Sequence, residues 1–270
     1  MITIGDLHKR FNPGSVDEVY ALRGVDLRVP AGEFVTIIGT NGSGKSTLLN
    51  AVAGDFAPDQ GSVTIDGRDV TRSREFQRAG LVARVFQNPF WGTVPGMSIS
   101  ENLHLASLRG QPTLPRLGLT RQRRQAYRQR VQALEMGLED RLENAIGSLS
   151  GGQRQALTLL MAVMNTPKVL LLDEHTAALD PKSAAQIIKL TRQFVEEMGL
   201  TTLMVTHSMR QALDLGNRTI MMHRGRVIED IPLAEKRHLT PEDLLERFAD
   251  LRRGEQLNDE MLEELRRAYV

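Results

Sequence analysis

The feature that most constrains this chain is a junction. An apolar run, Phe34 to Ile38, passes directly into Gly39, Thr40, Asn41, Gly42, Ser43, Gly44, Lys45 and Ser46, and a helical pattern opens with Ser46, Thr47, Leu48 and Leu49. Glycine, four residues, Gly-Lys and a hydroxyl residue make the phosphate-binding loop pattern. Its flanks are those the chemistry requires: a strand aims the loop, amides from Asn41 to Lys45 curl around phosphate oxygens, and the helix start adds a favourable dipole. Lys45 supplies a point charge for β- and γ-phosphates, and the Ser46 hydroxyl is placed to coordinate Mg2+. A plain glycine-rich turn is the alternative, and the flanking strand and helix count against it. Gly39 through Thr47 are therefore candidate nucleotide-binding residues.

The rest of the chain repeats the alternation. Strands are predicted at Ile2 to Leu7, Leu22 to Val29, Glu33 to Ile38, Ser62 to Ile65, Leu81 to Phe86, Val169 to Leu172, Thr202 to Thr206 and Thr219 to Met222. Helices are predicted over Lys45 to Ala53, Arg123 to Met136, Gly152 to Met164, Pro181 to Met198 and Met209 to Leu215. That order predicts an α/β fold with a mostly parallel sheet covered by helices. With 270 residues, 41% hydrophobic and 25% charged, the chain has the composition of a folded globular protein, and either one large domain with an insertion or two ordinary domains fit. A net charge of +1 argues against a molecule that binds nucleic acid by overall charge. The absence of cysteine excludes disulfides, thiolate metal sites and a cysteine nucleophile, and fits a reducing compartment. No apolar run approaches the roughly 18 residues of a membrane helix, and Met1 to Arg10 lacks the apolar centre of a secretory signal.

Two further segments carry chemistry. Val169-Leu170-Leu171-Leu172-Asp173-Glu174 reads as a buried strand tipped by two carboxylates, for which a buried strand has no structural use. Asp173 is placed to hold Mg2+ through its water shell, and Glu174 to orient or deprotonate an attacking water; helix capping is the alternative. Leu149-Ser150-Gly151-Gly152-Gln153 sets a hydroxyl and two glycines at a helix start, a second candidate anion site.

Together, in this order and spacing, the three segments resemble the nucleotide-binding subunit of ATP-binding cassette (ABC) transporters, over about Ile2 to Ile231. The resemblance implies a P-loop NTPase core with an antiparallel β edge subdomain and an inserted helical subdomain at about 88–150, the whole ATPase domain covering 1–231 and a helical extension 232–270. It implies ATP and Mg2+ as cofactors. Gln87 matches the family's glutamine loop, a metal-sensing and catalytic position; Asp180, in Ala178-Leu179-Asp180, matches the residue that reaches across the dimer; His207 matches the switch histidine at the γ-phosphate. Phe11 looks like the aromatic that stacks on adenine, with Tyr20 as the competing choice. His175 stands where the family usually has proline, either tuning local charge or replacing the backbone without further effect.

The family implies two copies packed head to tail, each ATP lying between the phosphate loop of one and Ser150 to Gln153 of the other. It further implies integral permease subunits, a solute-binding protein reached through the permease, no nucleic acid, and a place on the cytoplasmic face of the bacterial inner membrane. A solute importer is the favoured reading; a lipoprotein-release or efflux ATPase, or a soluble ABC ATPase acting on nucleic acid, are the alternatives. Phe90 and Trp91 fall in Asn88-Pro89-Phe90-Trp91-Gly92, read as surface loop. They either receive a permease helix beside Gln87 or fold back as a small local core. From Asn102 to Leu134 there are seven arginines and no acidic residue, read as a solvated helix face, or as a contact for lipid phosphate or an acidic permease loop. Leu244, Leu245, Phe248 and Leu251 recur at helical spacing in an acidic C-terminal stretch and predict an amphipathic helix.

Overall fold

The structure, a computed structural model, describes residues 1–111 and 118–253, with side chains through Ala249. Arg116, the Leu251 side chain and the acidic tail beyond Arg253 lie outside that set. Internal contacts gather into two units: Met1–Arg72 with the described residues from Thr202 on, and Ser73–Thr201.

The first unit holds an antiparallel sheet in the order β2-β1-β4-β5, from β1 (Ile2–Phe11), β2 (Val19–Val29), β4 (Gln60–Ile65) and β5 (Arg68–Asp69). Asp66 and Gly67 join β4 to β5 with φ of 51° and 78°, the two left-handed residues of a tight hairpin turn. The unit also holds β3 (Phe34–Gly39), parallel to both β8 (Thr201–Val205) and β9 (Arg218–His223), with β9 antiparallel to β10 (Arg226–Pro232). All six residues of β3 are buried, which explains why its sequence is almost wholly apolar. Its one polar side chain, Thr36, donates to the Ala212 carbonyl at 3.0 Å and pairs with the Thr219 hydroxyl at 2.8 Å.

Helix α1 (Lys45–Ala53) leaves the end of β3 with the predicted bounds. After strand β10, absent from the predicted elements, the chain turns helical at α8 (Leu233–Lys236) and α9 (Pro241–Arg253), within the stretch from 232 read as helical. Leu244 and Phe248 of α9 pack with Ile38, Met221, Ile231 and Met209, the last from α7 (Met209–Asp214). The predicted amphipathic face thus covers the strand that carries the phosphate-loop pattern.

The second unit contains β6 (Val82–Val85), parallel to β7 (Val169–Asp173), and the helices α2 (Glu75–Arg78), α3 (Ile99–Ser107), α4 (Arg121–Gln132), α5 (Gly151–Val163) and α6 (Pro181–Met198). Helix α3, absent from the predicted elements, starts on a Ser98–Glu101 capping box. Much of the arginine-rich stretch is satisfied locally. Arg109 donates to the Ala162 carbonyl and Arg130 to the Met164 carbonyl at 3.1 Å, at the end of α5, while Arg124 and Arg128 pair with Glu143 and Asp140.

Lys236 is buried in α8 and donates to the Leu215 and Gly216 carbonyls behind α7. Burial pushes its ammonium down to about 8 from the ordinary 10.5. Between those values the unfolded chain holds a proton the folded chain has released, so stability rises with pH across that window. A neutral amine still donates to both carbonyls. Measured by denaturant unfolding, wild type should gain on the order of 2 kcal/mol relative to Lys236→Met between about pH 8 and pH 10.5.

Candidate functional site

In the first unit the phosphate loop is fixed by backbone packing. A Cβ at Gly39 would lie 2.3 Å from the Met222 carbonyl oxygen, and one at Gly44 would lie 2.5 Å from that of Ala21. The Gly225 amide donates to the Ser43 carbonyl at 2.9 Å, tying the loop to the β9–β10 turn. Gly44 sits at φ 98° as the N-cap of α1 and no side chain caps the helix, so its first turn presents amides, with no acidic residue among its first residues. Lys45 is buried and donates to the Gly39 and Thr40 carbonyls at 2.7 and 2.9 Å. The Ser43 hydroxyl is buried without a hydrogen-bond partner. Asn41, Gly42 and Ser46 are exposed, and Thr47 is half-buried. An orphaned hydroxyl, an uncapped helix start and a lysine resting on loop carbonyls are the features of a cradle for an anion.

Phe11 and His207 also belong to this unit. Phe11 is exposed and meets Phe56 edge-on at 5.4 Å, just beyond α1. Tyr20 is engaged: its hydroxyl bonds His8, and the guanidinium groups of Arg10 and Arg23 lie 4.3 and 5.0 Å from its ring centre. His207 is half-buried after β8, beside Ser208, whose hydroxyl accepts the Gln211 amide at 3.2 Å and caps α7.

The second unit contains Gln87, Ser150 to Gln153, Asp173, Glu174 and Asp180. Asp173 ends β7 and is only slightly exposed; Arg84 donates to its Oδ2 at 2.9 Å. Glu174 follows at φ 46°, a left-handed conformation that a glutamate adopts at a cost of about 1–2 kcal/mol. Ser150 is the N-cap of α5: its hydroxyl accepts the Gln153 amide at 3.3 Å, and the Gln153 side chain accepts the Ser150 amide at 3.3 Å. The Ser-Gly-Gly-Gln segment is therefore a complete capping box. Asp180 caps α6, and hydrogen bonds from the Ser183 hydroxyl and amide hold its carboxyl below the usual range. Gln87 is exposed.

His175 is buried, bonds the Thr191 hydroxyl at 3.0 Å, and is pushed down to about 4 by that burial, so at neutral pH it adds no charge beside the acidic pair. Its carbonyl accepts the Gln155 side-chain amide at 2.7 Å, and the same nitrogen donates to the Phe86 carbonyl at 3.1 Å. Gln155 thus clamps the chain before Gln87 to the chain after Glu174. Sequence reasoning missed both Gln155 and Arg84; the only signal was a polar residue on an otherwise apolar helix face or strand. Trp91 is 73% exposed with its ring 6.0 Å from Phe86, while Phe90 lies under the Arg154 guanidinium at 3.7 Å. The loop is therefore surface, as expected, with Phe90 pinned locally and Trp91 projecting.

Comparison with known proteins agrees with this geometry. Residues 22–177 match the ABC transporter family. A tyrosine transport ATP-binding protein of Clostridioides difficile (strain R20291) is 43% identical over 250 residues, covering 92% of this chain and 98% of that protein. A pyoverdine export ATP-binding/permease protein of Pseudomonas aeruginosa is 32% identical over 93% of this chain, which spans only 38% of it. Among solved structures, a dimeric ATP-binding cassette in a post-hydrolysis state bound to ADP and Pi superimposes with a TM-score of 0.73 at 30% identity, covering 86% of this chain and 99% of that one.

The α/β architecture with a mixed sheet and an antiparallel sheet is thus that of an ATP-binding, ATP-hydrolysing cassette. The chain belongs to the ABC transporter family, as an ATPase subunit.

The tightest packing in the second unit gives a direct test. A Cβ at Gly152 would lie 2.5 Å from Ser183 Oγ and 2.7 Å from Ser183 Cβ. Gly152→Ala should destabilise the protein by about 1–3 kcal/mol through overpacking, and Ser183→Gly should restore part of that loss in the double variant, both read by denaturant unfolding.

Proposed function

We propose that this chain is the ATPase subunit of a bacterial solute importer, working as a head-to-tail homodimer beneath integral permease subunits at the cytoplasmic face of the inner membrane, with a solute-binding protein engaging the permease. The observation that carries the importer reading is the match to a phosphonates import ATP-binding protein of Synechococcus sp., 33% identical and covering 93% of this chain and 91% of that protein. The export protein is matched over a much smaller share of its length. Among the described residues no helix is long and apolar enough to cross a membrane.

In this reading Gly39 to Thr47 hold the ATP phosphates: the α1 amides and Ser43 hydroxyl donate to them, and Lys45 turns from the loop carbonyls to the β- and γ-phosphates. Phe11, whose ring is exposed while Tyr20 is engaged, stacks on adenine. The hydroxyl of Ser46, the carboxylate of Asp173 and the amide oxygen of Gln87 are hard oxygen donors suited to Mg2+. That ion supplies charge neutralisation at the phosphate oxygens. Glu174, aimed by its left-handed backbone, orients the attacking water and takes its proton, and His207 contacts the γ-phosphate. Ser150, Gly151, Gly152 and Gln153 of a second copy face the same γ-phosphate, with Asp180 at the dimer boundary. The ATPase domain is taken as 1–231, with the helical insertion at about 88–150 and the extension from 232.

Glu174→Gln should lower turnover by roughly 100-fold or more while ATP binding persists and a closed dimer accumulates; turnover within about threefold of wild type would sink the assignment. Lys45→Ala should weaken ATP binding itself. Mixing Lys45→Ala chains with Ser150→Arg chains leaves one intact composite site per heterodimer, so ATP-dependent crosslinking should return, and demonstrated heterodimers without closure would exclude the head-to-tail arrangement. In proteoliposomes with its permease, ATP on the cassette side should drive uptake that depends on the binding protein; cargo movement away from the cassette side without one would make it an exporter.

A further inference from the structure

Strand β6 carries an arginine where its neighbours are apolar. Val82, Ala83 and Val85 are buried, yet Arg84 stands between them with its side chain only 13% exposed. A charge that desolvated is costly unless paired. Its register explains the pairing: Arg84 lies opposite Leu171 of β7, so Asp173, two residues further on, is on the same face of the neighbouring strand. The guanidinium donates to Asp173 Oδ2 at 2.9 Å, and the carboxylate is itself only 14% exposed. The guanidinium carbon also lies 4.6 Å from the centre of the Phe86 ring, and Phe86 meets Trp91 edge-on at 6.0 Å. Asp173 is therefore held by a cation that cannot deprotonate and that is built into the adjoining strand.

We propose that Arg84 is the resident counter-ion of Asp173 and competes with Mg2+ for its carboxylate, so that metal capture requires the guanidinium to yield. The inference rests on the reading of Asp173 as the metal carboxylate. Two cations sharing one poorly solvated carboxylate repel each other more strongly than they would in water. Whatever favours the Arg84–Asp173 pair must therefore weaken Mg2+, and Mg2+ must weaken the pair to the same degree. The retreating guanidinium already has a resting place against Phe86, whose other neighbour is Trp91, the single tryptophan of the chain. Arg84 acts through Asp173 and touches no substrate, which makes it a positioning residue.

The quantity to measure is how much Mg2+ tightens a non-hydrolysable ATP analogue, the ratio of its dissociation constants in EDTA and in Mg2+, by calorimetry on the full chain. Arg84→Gln should raise that ratio at least about fivefold, the low end of ordinary coupling between sites. Arg84→Lys keeps the charge but loses the planar fork, so its ratio should lie between wild type and Arg84→Gln; this milder change also decides the matter if Arg84→Gln does not fold. Asp173→Asn should bring the ratio close to one, and adding Arg84→Gln to it should change nothing more. In wild type, Mg2+ added to the analogue complex should shift Trp91 emission as the Arg84–Phe86 contact tightens. A ratio in Arg84→Gln or Arg84→Lys at or below the wild-type value, with Asp173→Asn collapsed, would overturn the competition and leave the metal assignment standing. An unaltered ratio in Asp173→Asn would overturn the metal assignment itself.

Discussion

Backbone against backbone, at distances no side chain can tolerate, is the constraint on which the phosphate-loop segment of this molecule depends. Gly39 meets the Met222 carbonyl, and Gly44 and Gly225 both meet that of Ala21. Three segments far apart in sequence, β2, the phosphate loop and the β9–β10 turn, are fixed against one another where glycine alone fits. Position comes from these contacts, and chemistry from Lys45, Ser43 and the uncapped start of α1. A loop held this way needs little reorganisation to take an anion, which is how fixed dipoles are most effective.

The same logic of placing charge by packing recurs in the second unit. Asp173 sits at the tip of a buried strand and would be expensive without a partner, so Arg84 accompanies it from the neighbouring strand. Beside them His175 is buried and neutral, so it contributes a hydrogen bond and a clamped carbonyl and adds no charge next to the Arg84–Asp173 pair. Backbone strain accompanies the same arrangement: Glu174, directly after Asp173, holds a left-handed φ of 46°.

Much of this was legible in the sequence, and the exceptions have physical causes. Helices α1 and α6 matched their predicted bounds because each starts on unambiguous chemistry, a phosphate loop in one and Asp180-Pro181 in the other. Strand β3 was readable because it is buried along its whole length. Strand β10 was missed because only one of its seven residues is fully buried and its turn is Arg224-Gly225, where an arginine takes a left-handed φ of 45° that its side chain does not advertise. Helix α3 was hidden by the proline and glycine residues before it, although its Ser98–Glu101 box was present. Arg84 and Gln155 left only a faint mark in the sequence, a polar residue among apolar neighbours, since each acts through a partner distant in the chain, Asp173 in one case and the Phe86 and His175 carbonyls in the other.

The start of α5 bears on how two copies would come together. Ser150 and Gln153 already satisfy each other's amides, and Gly152 is seated against Ser183, so the segment is finished before anything approaches it. On the proposed reading, a phosphate approaching it would meet a surface with no loop left to order, the entropy of ordering that segment having been spent in folding the monomer. In the proposed head-to-tail dimer, the same surface would then grip and release nucleotide without remaking itself.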